Sequence, residues 1–288
     1  MEGRLKKIQD YIDRMPSLST TVSKVMKVCS DPETSANDLN RVISLDPVLT
    51  GRVLKLINSA YYSLPGQVTS LTRAIIMLGQ NTVKNLVLST AVLGIIGKDR
   101  HASLPMGQFW SHCLATGIMA KNIAALKGVH TGNQEEYFVG GLLHDLGKLP
   151  ISKCFKKEYK QVMELAYLQR CSLLRAEEMV LGFTHQDSGR MLAEKWEFHP
   201  RMACCLSNHH DLCFGEEGPA PVLLRSVAAA NLFTNIFEIG SAGDDCLEVV
   251  DVQNILAHSG VSWKSLSEFI RHVPNEIESA RSFLDVVV

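Results

Sequence analysis

The chain has 288 residues, 46% hydrophobic and 20% charged, a globular composition long enough for one large domain or two smaller ones. Its 29 basic residues balance 30 acidic ones at a net charge of −1, which excludes a surface built to hold nucleic acid or anionic lipid by bulk charge. No run approaches the roughly 18 apolar residues of a membrane span, and the opening MEGRLKKIQDYIDRM is charged and amphipathic, unlike a secretory leader.

In chain order, the punctuation is that of helices. Ser35 with Asp38 forms a capping-box pattern ahead of LNRVISL. Asp46 followed by Pro47 pairs an N-cap with proline at the first helical position, opening PVLTGRVLKLINSAYYS. Ser70 precedes LTRAIIML, which Gly79 ends. After a polar break, GKDRHASLPM, come QFWSHCLATGIMAKNIAALKG, EEYFVGGLLHDLG, YKQVMELAYLQR, LLRAEEMVLGF, HQDSGRMLAEKW, PRMACCLSNHH and APVLLRSVAAANLFTNIF. A second polar break, SAGDDCLEVVD, precedes the last helices. Strand-like alternation is almost absent, so the expected class is all-α: an amino-terminal helical bundle packed on a second helical unit. The breaks predict parts at residues 1–100, 101–240 and 241–288. The eight cysteines are scattered without a CxxC pair and read as small buried hydrophobes of a reducing, cytoplasmic setting.

The stretch VGGLLHDLGKLP sets His144 and Asp145 side by side after an apolar run and then stops on Gly147. A polar pair in an apolar setting needs protein partners, water or a metal. Seven of the ten histidines fall between His112 and His210. His112 lies within a long apolar helix, with Ala115 and Thr116 one turn on. His185 begins a helix whose inward face holds Ser188, Gly189 and Leu192, and His209 shares a face with Met202, Cys205 and Leu206. His130 reads as a loop residue and His199 as an exposed helix start. Singly, a histidine on an apolar face is more often a satisfied core or cap residue than a ligand. Four helices each presenting one, with an aspartate adjoining, are the donors that bundle cores use for iron, manganese, zinc and related ions. Asp145, with two carboxylate oxygens, could bridge two ions.

GGLLHDLGKL resembles the signature of the HD superfamily of metal-dependent phosphohydrolases. That resemblance implies a metal held by His112, His144 and Asp145, with the later aspartate of the signature replaced by Asn231 of VAAANLF. Similarity to the HD-GYP branch adds His185, His209 and His210 as ligands of a second metal, although HHDLCFGEEGPA carries no Gly-Tyr-Pro. The amino-terminal pattern, from MPSLSTTVSKVMKV through SLDPVLTGRVLKLINSAYYS to VTSLTRAIIMLG, is similar to the HDOD domain, and the likeness extends from about Met15 to about Asn235. HDOD domains are regarded as signalling modules, many without the metal residues. The resemblance therefore implies a bacterial regulatory module with protein partners and one or two divalent transition-metal ions such as iron or manganese, while the balanced charge and the lack of apolar spans give the expectation of no nucleic acid or membrane ligand. The alternative is a phosphohydrolase or phosphodiesterase acting on a small phosphoester. In the alternative, Asp145 carries the catalysis and Lys148 stabilises charge on phosphoryl oxygens. Lys148 can equally be a solvated lysine near a helix C-terminus.

Overall fold

The computed structural model describes residues 2–31, 33–96, 103–211, 221–244, 246, 249–269 and 271–287. Among them every regular element is a helix: α1 (Glu2–Asp13), α2 (Thr20–Val28), α3 (Ala36–Ile43), α4 (Pro47–Ile57), α5 (Leu71–Leu78), α6 (Gln80–Ile96), α7 (Met106–Leu126), α8 (Thr131–Leu143), α9 (Lys148–Cys154), α10 (Lys156–Gln169), α11 (Leu173–Leu181), α12 (His185–Lys195), α13 (Pro200–Asn208), α14 (Val222–Ile236), α15 (Val249–Ser259), α16 (Trp263–Phe269) and α17 (Val273–Val287). None is long and apolar enough to cross a membrane.

The cap signals act as the sequence implies. Ser35 Oγ accepts from the Asp38 amide, and the Asp38 carboxylate accepts from the Ser35 amide. Asp46 caps α4 with Pro47 in its first turn, and Ser70 caps α5. Residues 97–102 of the first polar break lie outside the described residues, as do 245, 247 and 248 of the second.

Helices α2 to α6 pack on one another, and α6 carries that bundle onto α8. Buried residues ring α6, from Val83 and Leu86 to Thr90 and Leu93, as expected of a helix enclosed on all sides. Helices α7, α8 and α14 make the centre of the second unit, and α12 and α13 pack beside it with α9 against α12. The terminal helices clasp this core: α1 lies on α9 and α12, and α17 lies on α7, α4 and α6.

The α7–α8 crossing is close because it is lined by glycine. A methyl on Gly141 would stand 2.6 Å from the Thr116 carbonyl and 2.7 Å from Gly117. This approach sets His112 of α7 beside the end of α8. A polar joint ties the bundle to the same pair of helices: Glu135 of α8 accepts from Tyr62 Oη at 2.6 Å and from Lys121 Nζ of α7 at 2.9 Å. Lys121 also donates to Tyr61 Oη at 3.2 Å and lies over that ring, 4.7 Å from its centroid.

Candidate metal centre

Helix α8 runs apolar to Leu143, with His144 as its C-cap, and the chain turns through Asp145, Leu146 and Gly147 before α9 begins at Lys148. The His-Asp pair thus sits at a buried corner. Gly147 does not end the helix by adopting a left-handed conformation, since its φ is −60°. It is needed for space: an added Cβ would lie 2.0 Å from the His185 carbonyl and 2.6 Å from the Gly189 amide of α12. That contact brings the α12 histidine to the corner.

Asp145 is the hub, and its two oxygens divide the histidines. Oδ2 faces His112 Nε2 at 3.6 Å, His144 Nε2 at 3.3 Å and Lys148 Nζ at 2.8 Å. Oδ1 faces His185 Nε2 at 3.6 Å and His209 Nε2 at 3.4 Å. His210 completes the second side, its ring centroid 5.1 Å from that of His185, and its Nε2 lies 3.9 Å from Asp244 Oδ2. Two donor groups result, sharing Asp145: His112 with His144, and His185 with His209 and His210. Both members of the His209–His210 pair belong to the cluster. His209 is fully buried, whereas the His210 side chain is 16% exposed at the rim. Asn231, on α14, is buried against His112.

The hydrogen bonds fix which nitrogens face inward. His144 Nδ1 donates to the Gly141 carbonyl at 2.7 Å and His209 Nδ1 to the Cys205 carbonyl at 2.8 Å. His185 Nδ1 donates at 2.7 Å to Glu177 Oε2, which also accepts from the His185 amide at 2.8 Å. With the Nδ1 protons committed, the Nε2 atoms of His185 and His209 carry lone pairs. Burial pushes His112, His185 and His209 down to about 3, so these rings are neutral. Neutral imidazole acceptors therefore face a carboxylate, and His185 Nε2 and His209 Nε2 face each other at 3.2 Å. His144 Nε2, Asp145 Oδ1, His210 Nε2 and both His112 nitrogens have no hydrogen bond, although all are buried. Acceptors converging on acceptors is the pattern of a cation site, and the residues fit a transition-metal centre with Asp145 as the shared ligand.

Lys148 is buried rather than solvated at a helix end. Burial would lower its pKa, but Asp145, Asp244 and Glu177 raise it, so it stays charged. Burial likewise works against ionisation of Asp145, and His144 and Lys148 overcome it, holding the carboxyl well below the usual range.

Sequence reasoning did not single out Glu177. This residue is fully buried on α11, takes a further hydrogen bond from Tyr159 Oη at 3.1 Å, and is pushed by burial up to about 8. Its signal was present: Leu173, Ala176 and Leu181 place Glu177 on the inward stripe of α11. As the partner that orients His185, it should matter nearly as much as a ligand. Glu177→Gln keeps the shape but replaces one acceptor oxygen with an amide NH2, so it can no longer accept from both His185 and Tyr159. Chelator competition should show metal affinity lowered by about 10–100-fold; unchanged affinity would remove Glu177 from the centre.

The HDOD domain family model matches residues 15–212. The chain belongs to the HDOD family. Its fold is shared with an HDOD domain protein of unknown function from Geobacter sulfurreducens, at a TM-score of 0.77 and 24% identity over 98% of each chain. It is also shared with a provisionally named phosphohydrolase from Shewanella amazonensis, at 0.71 and 22% over 96% of this chain and 97% of that one. A provisionally named signal transduction protein from Marinobacter aquaeolei matches at 0.77 and 19%, over 99% of this HDOD chain and 64% of that one. A curated relative, an uncharacterized protein from Treponema pallidum, is 25% identical over 228 residues, and the HDOD chain spans 43% of its length.

Proposed function

We propose that this HDOD chain is a regulatory module of bacterial signal transduction, acting in the cytoplasm on a protein partner. In this reading one or two iron- or manganese-type ions in its histidine–aspartate centre are structural or sensory. The observation that carries the reading is the burial of the donors: His144, Asp145, His185 and His209 are 0% exposed and His112 is 1% exposed, and His210 alone reaches the rim. Catalytic metal sites keep a position open to water and substrate, whereas structural ones are closed. Asn231 points the same way, since an amide offers an oxygen without the charge of the signature's carboxylate.

His112, His144 and Asp145 would hold one ion, with Asn231 adjoining, and Asp145, His185, His209 and His210 the other. When bound, such ions supply fixed positive charge and Lewis acidity at the Asp145 carboxylate. The chain's own residues do the rest: Glu177 orients His185, the Gly141 and Cys205 carbonyls orient His144 and His209, and Lys148 holds Asp145 ionised. A second reading, hydrolysis of a small phosphoester, draws on one feature, the pair of donor groups sharing one carboxylate, which suits two-ion phosphoryl chemistry.

The test is a phosphoesterase assay on 4-nitrophenyl phosphate and its diester, with manganese-, iron- or zinc-loaded protein. The regulatory reading predicts turnover no higher in wild type than in Asp145→Ala. Turnover that disappears in Asp145→Ala would establish the hydrolase instead. Asn231→Asp should tighten metal binding, on the order of tenfold, by adding a charged ligand beside His112, as titration calorimetry would record.

A further inference from the structure

Away from the metal centre, a cleft of about 580 Å³ opens between α2 and α6 of the amino-terminal bundle and α8 and α13 of the second unit. Its volume is that of a small-molecule site, and it lies at a junction between packed units, where such sites concentrate. The lining is of two kinds. Met26, Leu88, Val129, Tyr137 and Met202 supply an apolar surface. Lys27, Lys84, Arg201, Asn81, Asn85 and Asn133 supply donors. Asn81 and Asn133 join the two walls, Asn81 Nδ2 donating to Asn133 Oδ1 at 2.8 Å.

The charges leave a surplus of cation. Arg201 pairs with Glu136 at 3.4 Å, which leaves Lys27 and Lys84 against the single carboxylate of Glu197. Among the described residues neither lysine has a carboxylate within ion-pair distance; Lys84 Nζ makes only a 3.4 Å contact to Asn81 Oδ1. Cys29, in the same wall, adds no negative charge, because burial pushes its thiol up to about 11. Two lysines without a carboxylate partner on one wall, the Asn133 amide across the gap and an apolar surface between them match one chemistry: an anionic group on a flat or aliphatic body.

We propose that this cleft is a binding site for a small organic anion. The site is independent of the metal and of the signalling role argued above. It shares helices with the metal centre, however, since α8 leads into His144 and α13 into His209.

The test uses two probes on the intact chain: 1-anilinonaphthalene-8-sulfonate, which has both the apolar body and the anion, and N-phenyl-1-naphthylamine, which lacks the anion. Calorimetry should give one site for the sulfonate, at least tenfold tighter than for the neutral amine. Lys27→Glu/Lys84→Glu should weaken sulfonate binding at least tenfold, and the exposed pair Lys6→Glu/Lys24→Glu should leave it within twofold. Hydrogen exchange should show protection by the sulfonate in segments 26–30, 81–88, 133–137 and 199–202. A melting curve checks that the variants fold, and Lys84→Gln, which is uncharged, should give a smaller loss in the same direction. Equal affinity for the two probes, indifference to charge reversal at Lys27 and Lys84, or protection confined to other segments would each overturn the proposal.

Discussion

Asp145→Ala is expected to abolish metal binding and to destabilise the metal-free protein. Asp145 is the one donor common to both groups, so its loss removes a ligand from each. Losing an outer partner of a metal ligand costs about 10–100-fold, so the shared ligand should cost more than about 100-fold. The stability effect comes from Lys148. Its ammonium is buried and 2.8 Å from Asp145 Oδ2, and the substitution leaves that charge without its closest partner. Breaking a buried pair from one side costs about 3–5 kcal/mol, and Asp244 and Glu177 soften the loss only through longer-range attraction. Urea denaturation of the metal-free proteins gives the number. Asp145→Ala/Lys148→Met should recover much of the stability and none of the metal affinity. A single variant as stable as wild type would show that Lys148 does not depend on Asp145.

Gly147→Ala is expected to be nearly as damaging, although the φ of −60° at this position is one that alanine adopts without strain. The added methyl meets two backbone groups of α12, at 2.0 Å and 2.6 Å, and backbone cannot rotate aside as a side chain can. Relief requires α9 and α12 to separate, which carries His185 away from Asp145. Overpacking typically costs about 1–3 kcal/mol, and a clash with backbone belongs at or above the top of that range. Metal affinity should fall with stability, and both can be read from one melting series with and without added manganese. A Gly147→Ala protein with wild-type stability and affinity would contradict the close approach of α9 to α12.

These two positions show what was legible in the sequence and what was not. His112, His144, Asp145, His185 and His209 could be found because each is a metal-ligating side chain on an apolar helical face, a property of the local pattern. The caps at Ser35, Asp46 and Ser70 were legible for the same reason: the partner of each lies three residues away. Gly147 was read as a stop, because the contact that requires it is with α12, nearly forty residues on. Helix α9 did not stand out because it is only seven residues long and contains Pro150, which is tolerated there since the first-turn amide needs no helical acceptor. In a string of letters Lys148 stands open between a charge facing phosphoryl oxygens and a solvated lysine, and Glu177 does not stand out. Their burial follows from partners brought together by folding, Asp145 and Asp244 for the lysine, His185 and Tyr159 for the glutamate. The divergent stretch after His210, at 212–220, lies outside the described residues.

The central claim is that the buried histidines and Asp145 form a metal centre, and elemental analysis of the purified HDOD chain tests it most directly. Wild-type protein, dialysed against iron, manganese or zinc and then against metal-free buffer, should retain one or two equivalents of a transition metal per chain. Asp145→Ala treated identically should retain almost none. Wild-type protein that keeps no metal, or Asp145→Ala that keeps as much as wild type, would contradict the account.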